Sequence, residues 1–173
     1  GVIKICGYDL EHDQARAKGR LGVMPQEINF NVFETPLQVL ISQAGYFGIP
    51  KKIASPKALE LLGRLKLLDK KDAKINSLSG GMKRRLMIAK ALIHAPEVVI
   101  LDEPTAGVDL ELRKMIWQFI TELNKSGLTV VLTTHYLEEA QNMCNKIALI
   151  NGGKIVANTD MKDLLASIED ELY

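Results

Sequence analysis

The spacing of apolar residues changes along the chain and divides it into three stretches. Short apolar runs at residues 2–5 and 21–24 predict strands, and Pro25 closes the second. The middle of the chain has helical spacing and no convincing strand. Further on, strand-like runs alternate with helical stripes, which predicts a parallel sheet with right-handed crossovers. The sequence therefore indicates an α/β core of residues 1–30 and 96–173, interrupted by an all-helical subdomain of residues 31–95.

Three helices are predicted inside the helical subdomain. Thr35 followed by Pro36 is a typical helix start, and apolar residues recur after it at positions 37, 40, 41 and 44. Ser55 and Pro56 repeat that start signal, with one apolar face formed by Leu59, Leu62 and Leu65. The third helix is expected over residues 81–94, with an inward face of Leu86, Ala89 and Ile93.

The last stretch contains the most regular patterns. Residues 98–101 are a continuous apolar run, as expected for a parallel strand buried on both faces, and residues 128–133 are predicted to form a second buried strand. Between them, Asp109 is a candidate N-cap for a helix with a long apolar stripe. A short helix at 136–144 and a third strand at 146–150 follow. The turn Asn151-Gly152-Gly153 predicts a hairpin from that strand to residues 155–157, and a final helix is expected over 161–168.

Composition and charge narrow the function only slightly. The chain has 173 residues, is 47% hydrophobic and has a formal net charge of +1, so charge predicts neither a nucleic acid nor an anionic lipid as partner. Cys6 and Cys144 are isolated, which suits a reducing cytosol. Because no apolar run approaches the roughly 20 residues of a membrane span, any membrane role must come through a partner.

Two consecutive carboxylates end the strand at residues 98–101. Asp102 and Glu103 precede Pro104, at the sheet edge where ligands of open parallel sheets bind. Consecutive strand residues point to opposite faces, so the two side chains are expected to have different roles. Asp102 is suited to hold Mg²⁺, and Glu103 to polarise a water that attacks a γ-phosphate. The structural alternative is an Asp-Glu-Pro turn.

A second candidate site is the helix start at Ser79-Gly80-Gly81. Glycine lets the backbone approach a ligand, and a helix N-terminus favours anions. The alternative is a plain helix cap. Lys83, Arg84 and Arg85 follow in what is expected to be the first turn, where the helix dipole disfavours cations. Such a cluster is most simply a solvated face, but the conflict with the dipole indicates a helix end that faces an anion.

Gln26 and His135 also follow predicted strands, again at carboxyl ends. Taken alone, Gln26 is an ordinary loop residue and His135 is more often structural than catalytic.

Together these residues resemble an ATP-binding cassette (ABC) ATPase. Gln26 is similar to the family's Q-loop, residues 78–82 (Leu-Ser-Gly-Gly-Met) to its signature motif, and residues 99–104 to its Walker B strand with the following glutamate. Residues 106–109 (Ala-Gly-Val-Asp) match the D-loop, and His135 the switch histidine. The residues around Met82 are most similar to ATPase subunits of drug-type exporters.

The resemblance implies a P-loop NTPase-like fold, ATP and Mg²⁺ as cofactors, and a head-to-tail dimer with ATP between the subunits. Glu103 and His135 would be catalytic, and Asp102 and Gln26 would bind the metal. ATP would contact Gln26 and, from the opposite subunit, Ser79, Gly80 and Gly81, while Asp109 would communicate across the dimer. A transmembrane permease subunit is the implied partner, with the ATPase cytoplasmic and peripheral on the inner face of the cell membrane. No nucleic acid partner is expected.

Two departures from the family pattern carry further expectations. Met82 replaces the usual signature glutamine, so no ribose or base contact is carried over to that position. No G-x-x-x-x-G-K-[ST] pattern occurs in the 173 residues, and Gly152-Gly153-Lys154 belongs to the predicted hairpin. Residues 1–10 resemble the strand that follows the P-loop helix. We therefore expect an N-terminally truncated subunit, lacking Walker A, that is inactive alone.

Two alternative functions remain open at this point. One is a soluble ABC ATPase without a membrane partner, although such proteins usually carry a second cassette or long coiled-coil insertions. The other is a non-catalytic, degenerate cassette that acts as an interaction module. The presence of Glu103 and His135 argues against degeneration.

Overall fold

The structure is a computed structural model that describes the backbone of residues 1–171 and the side chains of residues 1–166. It divides into two compact units, Gly1–Thr133 and Thr134–Tyr173, and each is described by itself. The boundaries predicted for the helical subdomain, residues 31 and 95, stay a prediction.

The first unit contains a three-stranded sheet, a two-stranded hairpin and five helices among its described elements. In chain order these elements are β1 (Lys4–Ile5), β2 (Tyr8–Asp9), α1 (Gln14–Gly19), β3 (Leu21–Met24), α2 (Pro36–Tyr46), α3 (Lys51–Arg64), α4 (Gly80–Leu92), β4 (Val98–Asp102), α5 (Leu110–Lys125) and β5 (Thr129–Thr133). Short 3₁₀ turns at Leu68–Lys70 and Ile75–Ser77 connect α3 to α4.

The sheet is parallel, with the strand order β3-β4-β5, which confirms the predicted α/β class. Its register places Met24 beside Leu101 and Asp102 beside Thr133, so the carboxyl ends of all three strands meet at one edge. One face is well packed. At Gly22 an added Cβ would collide with the Ala91 carbonyl oxygen, so glycine allows α4 to lie directly against β3.

Residues 129–133 form the predicted strand, but the expectation that this strand is buried is wrong. In β5, the side chains of Thr129, Val131 and Thr133 are exposed and those of Val130 and Leu132 are half-buried. These side chains are exposed or half-buried because β5 lies at the edge of the sheet. Among the described strands of this unit, it pairs only with β4.

Helix α2 begins where the sequence predicts. The Thr35 side chain accepts a hydrogen bond from the Gln38 backbone N–H, the Gln38 side chain accepts one from the Thr35 N–H, and Pro36 occupies the first helical position. This capping box satisfies N–H groups that a helix start otherwise leaves unpaired. Gly48, with φ of 73°, follows the end of the helix.

Helix α3 begins earlier than Ser55-Pro56 predicts. It starts at Lys51, with Ile53 and Ala54 N–H groups donating to the Pro50 carbonyl, and Pro56 lies inside the helix. The earlier start buries Ala54 in the core. The apolar face is shifted as well: Leu62 and Leu65 are buried, but Leu59 is 36% exposed.

The predicted strand at residues 2–5 is also shorter than expected. Only Lys4 and Ile5 are in a strand, which pairs antiparallel with β2. Cys6 and Gly7 both have positive φ, 49° and 85°, and turn the chain back within two residues. This conformation is that of a tight hairpin turn, which ends the strand.

The two long helices at the sheet match their predicted faces. Leu86, Ala89 and Ile93 are fully buried, and the stripe of α5 is buried or half-buried around Ile116 and Phe119. Gly127, with φ of 104°, follows α5 and allows the turn into β5.

The second unit consists of α6 (Leu137–Met143), β6 (Lys146–Asn151), β7 (Lys154–Asp160) and α7 (Met161–Glu171). The predicted hairpin is confirmed, with Gly152 and Gly153 at positive φ in a two-residue turn. The strand predicted at 146–150 is β6, which pairs antiparallel with β7 as the predicted hairpin requires. Among the helices that the structure describes, none has the length and apolar character needed to cross a bilayer.

Candidate functional site

The carboxyl end of β4 holds two acidic side chains in different surroundings. The Thr133 hydroxyl at the end of β5 donates a hydrogen bond to Asp102 Oδ1. The same Thr133 Oγ1 accepts from the Glu103 backbone N–H at 3.1 Å, and the Thr133 carbonyl accepts from it at 3.1 Å. Sequence reasoning missed Thr133. The only available signal was a threonine at the carboxyl end of a strand beside Asp102.

The backbone of Glu103 is strained. Its φ is 46°, in the left-handed region that non-glycine residues rarely adopt, and Pro104 follows it. Such a conformation costs on the order of 1–3 kcal/mol and is found mainly at functional sites, where the surrounding structure enforces it. Here the bonds from the Glu103 N–H to Thr133 enforce it. Because Cys6 has a similar φ in the plain turn between β1 and β2, a functional role for Glu103 is favoured by its side-chain contact with Gln26 and not by φ alone.

Gln26 reaches the same edge from β3. Its side-chain Nε2 donates to Glu103 Oε2 at 3.0 Å, across 77 positions of sequence. The structure therefore brings three of the predicted site residues, Gln26, Asp102 and Glu103, to one edge of the parallel sheet. Glu103 faces the loop after β3, while Asp102 faces β5.

Arg84 contacts this edge from α4. Its Nη1 donates to the Gln26 carbonyl oxygen at 2.8 Å, and the residue is only 8% exposed. Burial lowers the pKa of the Arg84 guanidinium, while the nearby carboxylates of Glu103 and Asp102 oppose that shift. The interpretation of residues 83–85 as a solvated or anion-facing cluster is therefore wrong for Arg84, because its side chain turns into the protein to bind a carbonyl group.

Arg85 has a structural role as well. Its Nη1 donates to the Leu65 and Lys66 carbonyl oxygens at 2.7 and 3.0 Å. These carbonyls lie at the C-terminal end of α3, where intrahelical partners are lacking, so Arg85 acts as a C-cap from a neighbouring helix. Burial lowers the pKa of Arg85. Because α4 begins at Gly80, both arginines lie beyond its first turn.

The start of α4 contains the second candidate site. The Ser79 side chain caps the helix by accepting from the Met82 N–H at 3.2 Å, which leaves its hydroxyl proton available to donate. A Cβ added at Gly80 would meet nothing within 4 Å, whereas one added at Gly81 would lie 2.7 Å from Leu112 Cδ2. Gly80 thus faces open space suited to a phosphate, and Gly81 allows close packing against α5.

Asp109 is the N-cap of α5, as predicted. Its Oδ1 accepts from the Leu112 N–H at 2.8 Å. The residue is exposed, so a cap and a contact with another subunit are compatible.

His135 belongs to the second unit and is described there. Its ring is tilted by 40° against the Tyr136 ring, with 4.0 Å between centroids, and the residue is exposed. Its predicted contact with a γ-phosphate stays a prediction.

The residues at the sheet edge suit Mg²⁺ bound together with a phosphate. The part of the chain that the structure describes contains no group of three or more His, Cys, Asp or Glu residues arranged to hold a metal. Asp102 provides one carboxylate and Gln26 one amide oxygen, and Mg²⁺ typically uses one or two protein oxygens with water and substrate phosphates. Asp102 and Gln26 therefore have the chemical type of ligand that Mg²⁺ binds beside a nucleotide. In the structure Asp102 is hydrogen-bonded to Thr133, and Gln26 to Glu103.

Comparison with known families identifies the chain. The family described as ABC transporter matches residues 1–106, more than half of the sequence. The chain belongs to the ABC transporter family. The match includes Gln26, the Ser79–Gly81 turn, Asp102 and Glu103.

Curated relatives of this ABC chain include proteins named "Nod factor export ATP-binding protein I". The one from Burkholderia thailandensis is 39% identical over 167 residues, covering 96% of this chain and 55% of the relative. The one from Cupriavidus pinatubonensis is 36% identical over 167 residues, covering 96% and 51%. The chain thus spans about half the length of these relatives.

Two solved structures share the fold at 24% identity. One, described as the ATP-binding subunit of an ABC transporter, has a TM-score of 0.86 and covers 100% of this chain and 75% of its own. The other, a dimeric post-hydrolysis state of an ATP-binding cassette bound to ADP and Pi, has a TM-score of 0.83 and covers 93% and 73%. They confirm that this ABC chain has the ABC ATPase fold.

Proposed function

We propose that the complete protein is the ATP-binding and ATP-hydrolysing subunit of an ABC exporter, which drives transport through a separate transmembrane partner. The observation that carries the proposal is the cluster at the end of β4. There Gln26 donates to Glu103, whose strained backbone is held by Thr133, and Thr133 also binds Asp102. An Asp-Glu-Pro turn without a chemical role would not require the contact with Gln26.

Each residue at this edge has a defined task in the proposal. Asp102 holds Mg²⁺, with the Gln26 amide oxygen as a second ligand. When bound, Mg²⁺ neutralises charge on the phosphates during transfer. Glu103 orients and polarises the attacking water, and Gln26 keeps the Glu103 carboxylate in place through the 3.0 Å bond seen here. His135 contacts the γ-phosphate.

The start of α4 serves a second subunit in the proposed head-to-tail dimer. Ser79 and the exposed Gly80 bind the γ-phosphate of ATP held by the opposite subunit. The free N–H groups of a helix start and its partial positive charge favour such an anion. The open space at Gly80 supports this assignment, and Gly81 contributes the close approach of α4 to Leu112. Asp109 communicates across the dimer.

Export and membrane attachment are the finer part of the proposal. Export is supported by the names of the curated relatives. A transmembrane partner would hold the subunit at the inner face of the cell membrane. Phe33 and Tyr46, which are 75% and 86% exposed, are large aromatic side chains suited to bind such a partner.

We expect the 173-residue chain to be inactive by itself. Its sequence contains no G-x-x-x-x-G-K-[ST] loop, and P-loop enzymes cradle the β- and γ-phosphates with that loop and its lysine. An ATPase assay of the purified chain checks this, and turnover at ordinary enzyme rates would contradict it.

The central test is Glu103→Gln in the complete protein. The amide keeps the size of the side chain but cannot act as a base, so ATP hydrolysis should fall by at least about 100-fold while ATP still binds. Glu97→Gln is the matched control, because Glu97 lies next to the opposite end of β4 and pairs with Arg20. A Glu103→Gln protein that hydrolyses ATP at the unaltered rate would refute the proposal.

A further inference from the structure

Arg84 is a buried cation whose contacts do not follow from its place in α4. A buried guanidinium is costly unless it is paired or hydrogen-bonded. Arg84 is 8% exposed, and its Nη1 donates to the Gln26 carbonyl oxygen at 2.8 Å across 58 positions of sequence. The bond is to backbone, so it fixes the path of the loop after β3 and leaves the Gln26 side chain free to make another contact.

That other contact is with Glu103. Gln26 Nε2 donates to Glu103 Oε2 at 3.0 Å. Two hydrogen bonds, joined by the covalent framework of Gln26, therefore connect Arg84 to the Glu103 carboxylate. The carboxylates of Glu103 and Asp102 also lie close enough to favour the charged form of Arg84. The carboxylates of Glu103 and Asp102 thus stabilise the charge of Arg84, and Arg84 in turn fixes the loop that carries Gln26.

The position of Arg84 on its helix adds a second connection. It lies five residues after Ser79, on the same helix, and α4 packs closely against β3 at Gly22. A displacement of the Ser79–Gly81 turn would therefore move Arg84 and, with it, the Gln26 backbone. The two candidate sites of this chain are joined through one side chain.

We propose that Arg84 is a positioning residue for ATP hydrolysis, which holds the Gln26 backbone so that the Gln26 amide aims the Glu103 carboxylate. It thereby couples the phosphate-binding turn Ser79–Gly81 to the acidic edge of the same chain. The inference rests on the proposed function for its effect on turnover, but the contact of Arg84 with the loop after β3 can be tested without any activity.

The side-chain chemistry explains why arginine suits this task. A guanidinium is planar, keeps its charge and offers five N–H donors in a fixed arrangement, whereas a lysine ammonium is a flexible point charge. Arg84→Lys should therefore keep the charge but hold the Gln26 carbonyl less firmly. Arg84→Met removes both charge and donors and keeps an apolar stem of similar reach.

The first experiment measures the loop directly, by backbone N–H order parameters of residues 26–30 in the complete protein. These should fall by roughly 0.1 to 0.2 in Arg84→Met, from the range of a rigid backbone towards that of a flexible one, and less in Arg84→Lys, because the loop loses its tether to α4. Arg64→Met is the matched control, since Arg64 contacts Glu122 at 3.3 Å and the Phe119 ring at 4.7 Å, and neither contact involves this loop. Unchanged order parameters of residues 26–30 in Arg84→Met would overturn the proposal, whether or not the protein hydrolyses ATP.

The second experiment is a double-mutant cycle on turnover with Gln26→Ala. Arg84→Met alone should lower kcat about 10- to 100-fold with KM for ATP changed less than about twofold, as expected when a contact needed for turnover is lost. In the Gln26→Ala background, Arg84→Met should lower kcat no further, because the amide that Arg84 positions is already absent. If the effects of Arg84→Met and Gln26→Ala on kcat were additive, Arg84 would act independently of Gln26, through the general stability of the fold. That result would overturn the proposal.

A protein that binds ATP but never hydrolyses it would refute the proposed function, while the order parameters of the loop would still decide the role of Arg84. If Arg84→Met fails to fold, the same two measurements on Arg84→Lys replace it, with partial loosening of the loop and a partial loss of kcat as the expected results. An Arg84→Lys protein with an unaltered loop and an unaltered kcat would overturn the proposal.

Discussion

At the scale of single residues, the Thr133 hydroxyl organises the end of β4. It donates to Asp102 Oδ1 and accepts from the Glu103 N–H, so one oxygen fixes both acidic residues. Asp102 and Thr133 are neighbours in the sheet register. A hydroxyl is required, because it is both donor and acceptor, and valine of nearly the same shape is neither.

We therefore predict that Thr133→Val impairs turnover more than stability. Asp102 loses a donor, and the Glu103 N–H loses the hydroxyl and keeps its bond to the Thr133 carbonyl. The free energy of unfolding should fall by about 1 kcal/mol. In the complete protein, kcat should fall by about 10- to 100-fold, because misplacement of a reacting group by a fraction of an ångström is costly.

The control is Thr129→Val, the same substitution at the opposite end of β5. Urea unfolding and ATPase rates of both variants separate a local effect from general weakening of the strand. Equal losses of kcat in the two variants would contradict the assignment.

The two signature glycines show how far residue types alone can predict a site. The sequence indicated that Gly80 and Gly81 both serve phosphate approach. In the structure the two glycines have different roles. Gly80 faces open space, whereas Gly81 packs against the Leu112 side chain. The need for glycine at position 81 arises from Leu112, which lies 31 positions further along the chain. The sequence around Gly81 therefore could not predict it.

At the scale of secondary-structure elements, two similar start signals had different outcomes. Thr35-Pro36 begins α2, because Gln38 completes a capping box within three residues. Ser55-Pro56 lies inside α3, because burial of Ala54 against the core extends the helix backwards to Lys51. A helix cap involves residues close in sequence, so the sequence can predict it. The energy gained by burying Ala54 depends on other helices that contact it in the folded protein, and the local sequence does not show them.

This difference predicts the effects of Pro56→Ala and Ser55→Ala on stability. Pro56 is exposed, and alanine there would restore an N–H to pair with the Lys52 carbonyl. Pro56→Ala should raise the free energy of unfolding by about 1–3 kcal/mol. Part of this gain is offset, because alanine gives the unfolded chain more conformational entropy than proline does. Ser55→Ala should change it by less than about 0.5 kcal/mol, since Ser55 caps nothing.

Urea unfolding of the two variants and the unaltered chain provides the measurement. If Ser55 were the cap that its sequence context suggests, Ser55→Ala would cost about 0.5–2 kcal/mol and Pro56→Ala would gain nothing. That pattern would refute the helix start at Lys51.

At the scale of the whole molecule, the sequence predicted the parallel arrangement and the edge that holds the acidic residues. Strands β3, β4 and β5 are separated by helices, and only crossover connections allow such strands to pair. The pairing of β6 with β7 followed from the Gly152-Gly153 turn. The role of Arg84 could not be predicted, because its partner Gln26 is 58 positions away and its charge indicated solvent.

His94 connects two layers of the first unit and makes its stability depend on pH. Its ring stacks on Phe47 with 3.7 Å between centroids, and its Nε2 lies 3.0 Å from the Leu21 carbonyl oxygen in β3. Burial lowers the pKa of His94, the hydrogen bond with Leu21 opposes that shift, and the charge of Lys57 adds to it. The neutral imidazole is therefore the form that the folded unit favours.

The sign of the effect follows from proton linkage. Unfolded histidine has a pKa near 6.5, above that of folded His94, so between the two values the unfolded chain binds more protons. The contribution of His94 is complete above about pH 7 and decreases as the pH falls through about 6.5 towards the folded pKa. Urea unfolding at about pH 7.5, 6.5 and 5.5 should show this decrease, and His94→Gln should reduce its slope because the amide does not titrate in that range. An equally steep decrease in His94→Gln would assign the pH dependence to other groups and remove His94 from the account.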